Sequence, residues 1–462
     1  MLTPRDHALA LVHFIDQSPT AFHATRSVAS ALDAAGFRAL DECDEWLIEP
    51  GDRCYITRNG SSIVAFVVGE ESPTEGGFRI LGAHTDSPGL KLKPSPVLGR
   101  NGYLQLGVEP YGGVLLYTWL DRDLTIAGRV FVADESSGEL HSYLVDLQVP
   151  IARIPSLAIH LDREVNTKGL VLNPQQHLAP LVGIRPSEQP GATTLAQLIS
   201  GEIKRTLGVD VRPEEVAEFD LQLVDTQKSS LGGEDECFVF APRLDNLASC
   251  HAGLTALIDS LAEHPTTRAT RMIAFWDNEE CGSRSMQGAA GPFLRQVIER
   301  IVEVRAAGEG QALPRAIASS FLVSADMAHA IHPNYSDRHE PSHAPLLGKG
   351  PVIKLNSNQS YATDGESAGV FTALCRASGF EPQRFVVRSD LPCGSTIGPI
   401  SAALLGIKTV DVGNPMLSMH SIRELAGTED HAKMVAALTH FFGDAQLTSG
   451  TRTVRSKGSR QA

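Results

Sequence analysis

Histidines and carboxylates recur in this chain at one kind of place, the polar turn just beyond a short apolar run. LGAHTDSPG sets His84 and Asp86 after one such run, and FVFAPRLDN sets Asp245 at the start of a helix after a second. RMIAFWDNEECGS places Glu279 and Glu280 after a third, and FLVSADMAHA places Asp326 and His329 after a fourth. IKTVDVGNPMLSMHSIRE carries His420 a few residues beyond a fifth. Mixed imidazole and carboxylate donors suit zinc, with manganese or cobalt as substitutes. A carboxylate shared by two cations roughly 3.5–4 Å apart is the arrangement of two-metal hydrolysis. Each turn alone has a plainer explanation. Asp245-Asn246 reads as a helix N-cap, Glu279-Glu280 as an acidic first turn favoured by the helix dipole, and a lone histidine after a strand as a solvated loop residue. Their joint appearance at five run ends is what points to a metal centre.

Positioning these residues on one rim needs an open sheet whose strand ends share an edge. The pattern supplies one. A capped helix is expected over residues 20–35, and β-branched runs follow at 62–68 and 78–83. From about 238 strands and helices alternate, at 238–241, 271–276, 321–325 and 407–413, and a final amphipathic helix spans about 429–442. Alternation of this kind predicts an α/β fold, a mostly parallel sheet with helices on both faces. Between 94 and 237 the texture changes to short alternating segments such as GYLQLGV and LTIAGRVFV, separated by glycines and charged turns, which reads as a β-rich module. The expected organisation is therefore a discontinuous α/β domain, 1–93 with 238–462, interrupted by a β-rich insertion at 94–237. Residues 450–462 are polar and basic and are expected to be disordered.

Composition removes several alternatives. Lys and Arg total 40 against 54 Asp and Glu, a net charge of −14, which argues against nucleic-acid binding, since phosphate neutralisation needs a basic face. No 18-residue apolar stretch offers a membrane span, and the N-terminus lacks the basic-then-apolar pattern of a secretory signal. Seven cysteines without a CxxC pair fit reduced thiols, so a cytoplasmic protein is expected. A chain of 462 residues buries enough surface to fold without a structural metal, so a metal here needs a chemical reason.

HTDSPG, RLDN, DNEE-x-GS, SADMAHA and MHSIRE, in this order and spacing, resemble the aspartyl aminopeptidases, a branch of the dizinc peptidases. GPVIKLNSNQSYATD, SDLPCGSTIGPI and IPSLAIHLDREVN extend the likeness across residues 10–445, insertion included. The resemblance implies two Zn2+ per subunit: Asp245 bridging, His84 and Asp326 completing one position, Glu280 and His420 the other. It implies Glu279 as the general base, which takes a proton from water and passes it to the leaving amine. Asp86, two residues after His84 and on the same side of an extended backbone, would orient that imidazole.

For the substrate, the resemblance implies that Lys354 lies near an acidic N-terminal side chain. Tyr361 and His329 would touch the substrate or the developing oxyanion. His160, in the insertion, would reach a neighbouring subunit's active site, within a tetrahedral dodecamer built from dimers through the β-rich domain. The implied activity is removal of N-terminal Asp or Glu from small peptides. The alternatives are a dizinc aminopeptidase of neutral, leucine-like preference, an amidohydrolase of N-acyl-amino acids, and a catalytically silent scaffold. SDLPCGSTIGPI reads as a small-residue turn opening a helix, where amides could cradle a substrate carboxylate, support His420 or simply make a tight turn. One departure from the family's pattern is Cys281, where a small apolar residue such as valine is usual. A buried cysteine acts as a small hydrophobe, whereas a thiol beside zinc could oxidise.

Overall fold

A computed structural model describes residues 2–134, 138–184 and 193–443; the tail expected at 450–462 lies outside the described residues. Its largest sheet has nine strands. Four lie side by side and parallel at the centre: Thr270–Trp276, Phe78–His84, Phe321–Ala325 and Lys408–Gly413. Ser62–Val67 pairs antiparallel with Thr270–Trp276 on one flank, and Val352–Lys354 pairs antiparallel with Lys408–Gly413 on the other.

The central strands are apolar on both faces because both faces are covered. Ile273 and Phe275 join a core with the helices Pro4–Asp16, Ala21–Ala34, Leu244–Glu263, Gly365–Ala377 and Thr428–Phe442. Their neighbours Met272, Ala274 and Trp276 face a second core with Phe293–Arg305, Ala312–Ala318 and Ile397–Leu405. Successive residues of one strand thus feed opposite cores, as pleating demands.

Phe238–Ala241 does not join this sheet. It pairs antiparallel with Glu424–Gly427 in a five-stranded sheet that also holds Pro415–Leu417 and Ala328–His329. The expectation of five run ends on one sheet is corrected here. His84, Glu279, Glu280 and Asp326 come from the ends of large-sheet strands, whereas Asp245 and His420 arrive from the small sheet's connections. An apolar run of four residues cannot itself say which sheet it enters.

A six-stranded antiparallel sheet, entered at Gly89, runs in the order Leu140–Asp146, Leu124–Ala133, Val216–Asp225, Gly89–Arg100, Tyr103–Tyr111, Leu181–Ile184. Its buried face, with Leu90, Ile126, Val130, Leu221 and Leu223, packs under Ile199 and Ile203 of the helix Thr193–Leu207.

Candidate active site

The carboxylate of Asp245 stands between two imidazoles. Its Oδ1 lies 3.3 Å from His84 Nε2, which is also 3.5 Å from Asp326 Oδ1. Its Oδ2 lies 3.5 Å from His420 Nε2, which is 3.4 Å from Glu280 Oε2. The ligand atoms of His84, Asp245 and Asp326 fall within 4.8 Å of one another, and so do those of Asp245, Glu280 and His420. Each oxygen of one carboxylate therefore serves a different triad.

Local structure explains how Asp245 is fixed. Its amide donates to Glu424 Oε2 at 3.1 Å, and its carbonyl accepts from Ser87 Oγ at 2.6 Å. Asn246, joined to it by a cis peptide, donates from Nδ2 to the Ala325 carbonyl at 2.9 Å. The helix-cap reading does not apply, because Arg243 occupies the cap position and Asp245 has non-helical backbone angles.

Both imidazoles are oriented in the same manner. His84 Nδ1 is 3.0 Å from the Asp86 backbone carbonyl, and His420 Nδ1 is 3.1 Å from the Gly113 carbonyl. Donation at Nδ1 leaves each Nε2 with its lone pair toward the carboxylates, as a metal ligand requires. The Asp86 carboxylate, expected to orient His84, lies 3.4 Å from that ring and has further partners. It accepts from the amides of Glu279 and Glu280, each at 3.1 Å, and from the Tyr111 hydroxyl at 2.6 Å. Asp86 thus holds the turn that carries both glutamates.

The electrostatics show a site crowded with negative charge. Burial pushes Glu279 up to about 7, with Asp326, Asp86 and Asp245 adding to the rise against the His84 charge. Burial and Asp245 raise Glu280 well above its ordinary value. Burial would also raise Asp245, but the His420 and His84 rings beside it overcome it and hold its pKa below the usual carboxylate range. Burial works against a charged His84, and the carboxylates of Asp245, Asp326 and Asp86 outweigh it. Among the described residues, buried Asp245 Oδ1 has no hydrogen-bond partner, its 3.3 Å approach to His84 lacking the geometry of one. A buried, unpartnered anionic oxygen is costly. Divalent cations would satisfy it and offset the crowding, so the donor set fits them.

The same residues line a cleft of about 300 Å³, together with Lys354, Tyr361, His329 and Phe385. Lys354 is only 3% exposed, and its Nζ lies 3.4 Å from Asp326 Oδ2 and 5.5 Å from the Tyr361 ring centre. His329 presents an open face to the cleft but is otherwise enclosed; enclosure first, then the Lys354 cation, lower its pKa. That open face is the cleft itself. Gly394 and Ser395 also line it, while Thr396 caps Ile397–Leu405, accepting from Gly398 N and donating to Asp411 Oδ1 at 2.7 Å. The loop therefore faces the cleft and does not support His420, whose hydrogen bonds go to Gly113 and to Glu424 Oε1, the latter at 2.7 Å from its amide. His160 sits on an exposed segment and is not among the residues lining this cleft.

Three contributors escaped the sequence reading. Glu424 ties Asp245 to His420 through both backbones, and lay unremarked at the end of MHSIRE. Tyr111 and Gly113 come from the β-rich part, in a YGG turn whose only local signal is its glycine pair.

Comparison with known proteins accords with this geometry. Residues 14–442 match the family described as Aminopeptidase I zinc metalloprotease, M18. A "Probable M18 family aminopeptidase 2" of Pseudomonas aeruginosa is 49% identical over 438 residues, covering 95% of this chain and 98% of the relative. Among solved structures, Ape4 in complex with Nbr1 superposes with a TM-score of 0.91 at 42% identity, over 94% of this chain and 85% of that one. The S. cerevesiae mApe1 dodecamer gives 0.82 at 32% identity, over 95% and 96%. Among the described residues, no helix is long and apolar enough to cross a membrane.

Proposed function

The chain belongs to the M18 family of zinc aminopeptidases, and on that premise we propose that it removes acidic residues, Asp or Glu, from the N-termini of small peptides with two zinc ions per subunit. The observation that carries the two-ion reading is the division of the Asp245 oxygens between two triads, one to His84 and Asp326, the other to His420 and Glu280. Zinc bound there supplies Lewis acidity toward the scissile carbonyl and acidifies water, with manganese or cobalt as substitutes.

Glu279 is the general base. It lies in a triad of ligand atoms with His84 and Glu280, and its amide is held by the Asp86 carboxylate at 3.1 Å. From there it takes the proton of the attacking water and delivers it to the departing amine. Lys354 reads the side chain of the N-terminal residue. It is a buried cation on the cleft wall whose carboxylate neighbour Asp326 is shared with the metal position. An Asp or Glu side chain gives it a partner of its own, and a leucyl side chain does not. Tyr361 and His329 line the same cavity and orient the carbonyl.

The active form is a homo-oligomer, dimers assembled into a dodecamer, with His160 completing a neighbour's site. Exposed apolar side chains support this: Leu157, Leu161 and Val171 are 64%, 75% and 86% exposed on the segment that carries His160, the kind of surface that marks an interaction site. Seven free cysteines support a reducing, cytoplasmic setting.

The test is a panel of aspartyl, glutamyl, leucyl and N-acetyl-aminoacyl substrates on protein of measured metal content. Two zinc ions per chain and kcat/KM at least ~10-fold higher for acidic residues are expected. Leucyl preference, or hydrolysis of the N-acetyl substrates alone, would replace the acidic reading with the corresponding alternative. No turnover with metal bound would leave a scaffold.

A further inference from the structure

The two imidazoles differ in where their orienting carbonyl comes from. His84 receives it from Asp86, two residues on. His420 receives it from Gly113, 307 residues away and just beyond the strand Tyr103–Tyr111 of the six-stranded sheet.

That contact is one of a set. The Leu115 amide donates to the His420 carbonyl at 3.0 Å, and the Ile422 amide donates to Thr118 Oγ1 at 3.1 Å. Tyr111 donates its hydroxyl to Asp86 Oδ2 at 2.6 Å and accepts from Asn278 Nδ2 at 3.0 Å, bracketing the turn that ends in Glu280. Its ring lies under Lys91 Nζ, 3.6 Å from the centroid, which ties it to the neighbouring strand Gly89–Arg100.

Space is as tight as the hydrogen bonding. A Cβ on Gly112 would stand 3.0 Å from Glu280 Cβ, at a backbone φ of +69°, and one on Gly113 would stand 3.1 Å from His420 Nδ1. Glycine at these two positions is what lets the chain pass between the two ligands. Contacts at the other triad come from the large sheet and its loops, Asp86 beside His84 and Lys354 beside Asp326, with Tyr111 reaching the Asp86 carboxylate from the β-rich sheet.

We infer that the segment Gly112–Leu115 is a positioning strap for the Glu280–His420 metal position, so that cation affinity there depends on how the β-rich part is seated. The inference rests on the two-zinc reading above. Removing a partner that orients a metal ligand weakens affinity by ~10–100-fold, and a shifted strap acts on both Glu280 and His420 while leaving His84 and Asp326 in place. By linkage, a cation at that position also holds the β-rich part against the large sheet.

The experiment is a competitive zinc titration of the full-length, assembled protein that resolves two affinity classes, with zinc per chain counted after dialysis against graded chelator. His420→Ala identifies which class belongs to the strapped position. Gly113→Ala, which pushes the imidazole by a few tenths of an ångström, should weaken that class ~10–100-fold and leave the other unchanged. Thr118→Val, which leaves the Ile422 amide two residues after His420 without its acceptor, should weaken the same class by several-fold. Gly201→Ala, whose added methyl meets nothing within 4 Å, should change neither. Equal loss from both classes, or no loss from either, overturns the strap. If Gly113→Ala fails to fold by its melting curve, Thr118→Val decides by the same criterion. Wild-type protein with a single zinc class overturns the two-metal reading and this inference with it.

Discussion

The His84 half and the His420 half of the site look alike at the ligand atoms and differ in everything behind them. His84 is the last residue of a central strand, 1% exposed, its Nδ1 partner two residues along the same loop. His420 lies in a connection of the small sheet, at a φ of +67°, its side chain 28% exposed and its partner carbonyl far away in sequence. Positive φ in a non-glycine residue persists only where its surroundings hold it, and here those surroundings are Glu424, Gly113 and Leu115. One half is carried by the sheet that builds it, and the other is assembled from three sheets. Local construction resists perturbation, whereas the assembled half transmits movement of its supports.

The largest effect comes from erasing the difference. Asp245→Ala removes the one ligand both halves share, so both zinc ions should be lost and turnover should fall to background. Losing a supporting contact costs ~10–100-fold in affinity, and losing a shared ligand costs more at each position. The chain should stay folded, since the change also removes a charge that raises Glu280 and Glu424. Metal analysis beside a melting curve checks this, and retention of either ion at wild-type affinity would break the claim that the halves meet at Asp245.

Glu279→Gln should leave both halves intact and stop the chemistry they serve. A general base contributes ~10²–10⁴-fold, so kcat should fall by that factor while zinc content stays at two per chain. Its side chain shares a triad with His84 and Glu280 and therefore sits at the seam. Near-normal kcat would remove Glu279 from the mechanism, and loss of zinc would make it a ligand.

How far the sequence could be read follows the same division. His84 with Asp86, and Glu279 beside Glu280, were legible because each pair lies within one turn after a strong apolar strand. The central strands were legible too, since burial on both faces leaves a near-continuous apolar run. Asp245 was legible as a candidate, yet its strand was assigned to the wrong sheet, because FVFA carries no mark of its partner Glu424–Gly427. Glu424, Tyr111 and Gly113 were not legible as site residues. Their roles lie in backbone amides, a backbone carbonyl and a phenol reaching across the fold, and such partners leave no local periodicity.

A smaller and more selective effect is expected on the His84 side. Lys354→Met removes a buried charge-assisted contact worth about 2 kcal/mol, so kcat/KM for aspartyl substrates should drop ~30-fold while leucyl substrates change by less than about 3-fold. The lysine also sits 3.4 Å from Asp326, and that contact supplies the competing explanation. Equal losses on both substrates, accompanied by altered affinity in the His84 zinc class, would mean that Lys354 acts through the metal position and not on the substrate side chain.

The smallest effect tests the one thiol beside the assembled half. Cys281 follows Glu280 directly, and its exposed Sγ makes weak contacts, 3.6 Å to the Asn278 carbonyl and 3.7 Å to the Tyr111 hydroxyl. Among the described residues, no group of ligand atoms close enough to share an ion includes it. Cys281→Val should therefore keep both zinc ions and change kcat/KM by less than about 2-fold under reducing conditions. Exposure also makes this thiol accessible to oxidants, unlike buried Cys250, whose Sγ donates to the His84 carbonyl. Peroxide should depress wild-type activity more than that of Cys281→Val, with any zinc released coming from the class that His420→Ala lacks. Loss of zinc in Cys281→Val without oxidant would instead make the thiol a ligand, and the assembled half would then owe its metal to sulfur as well as to the strap.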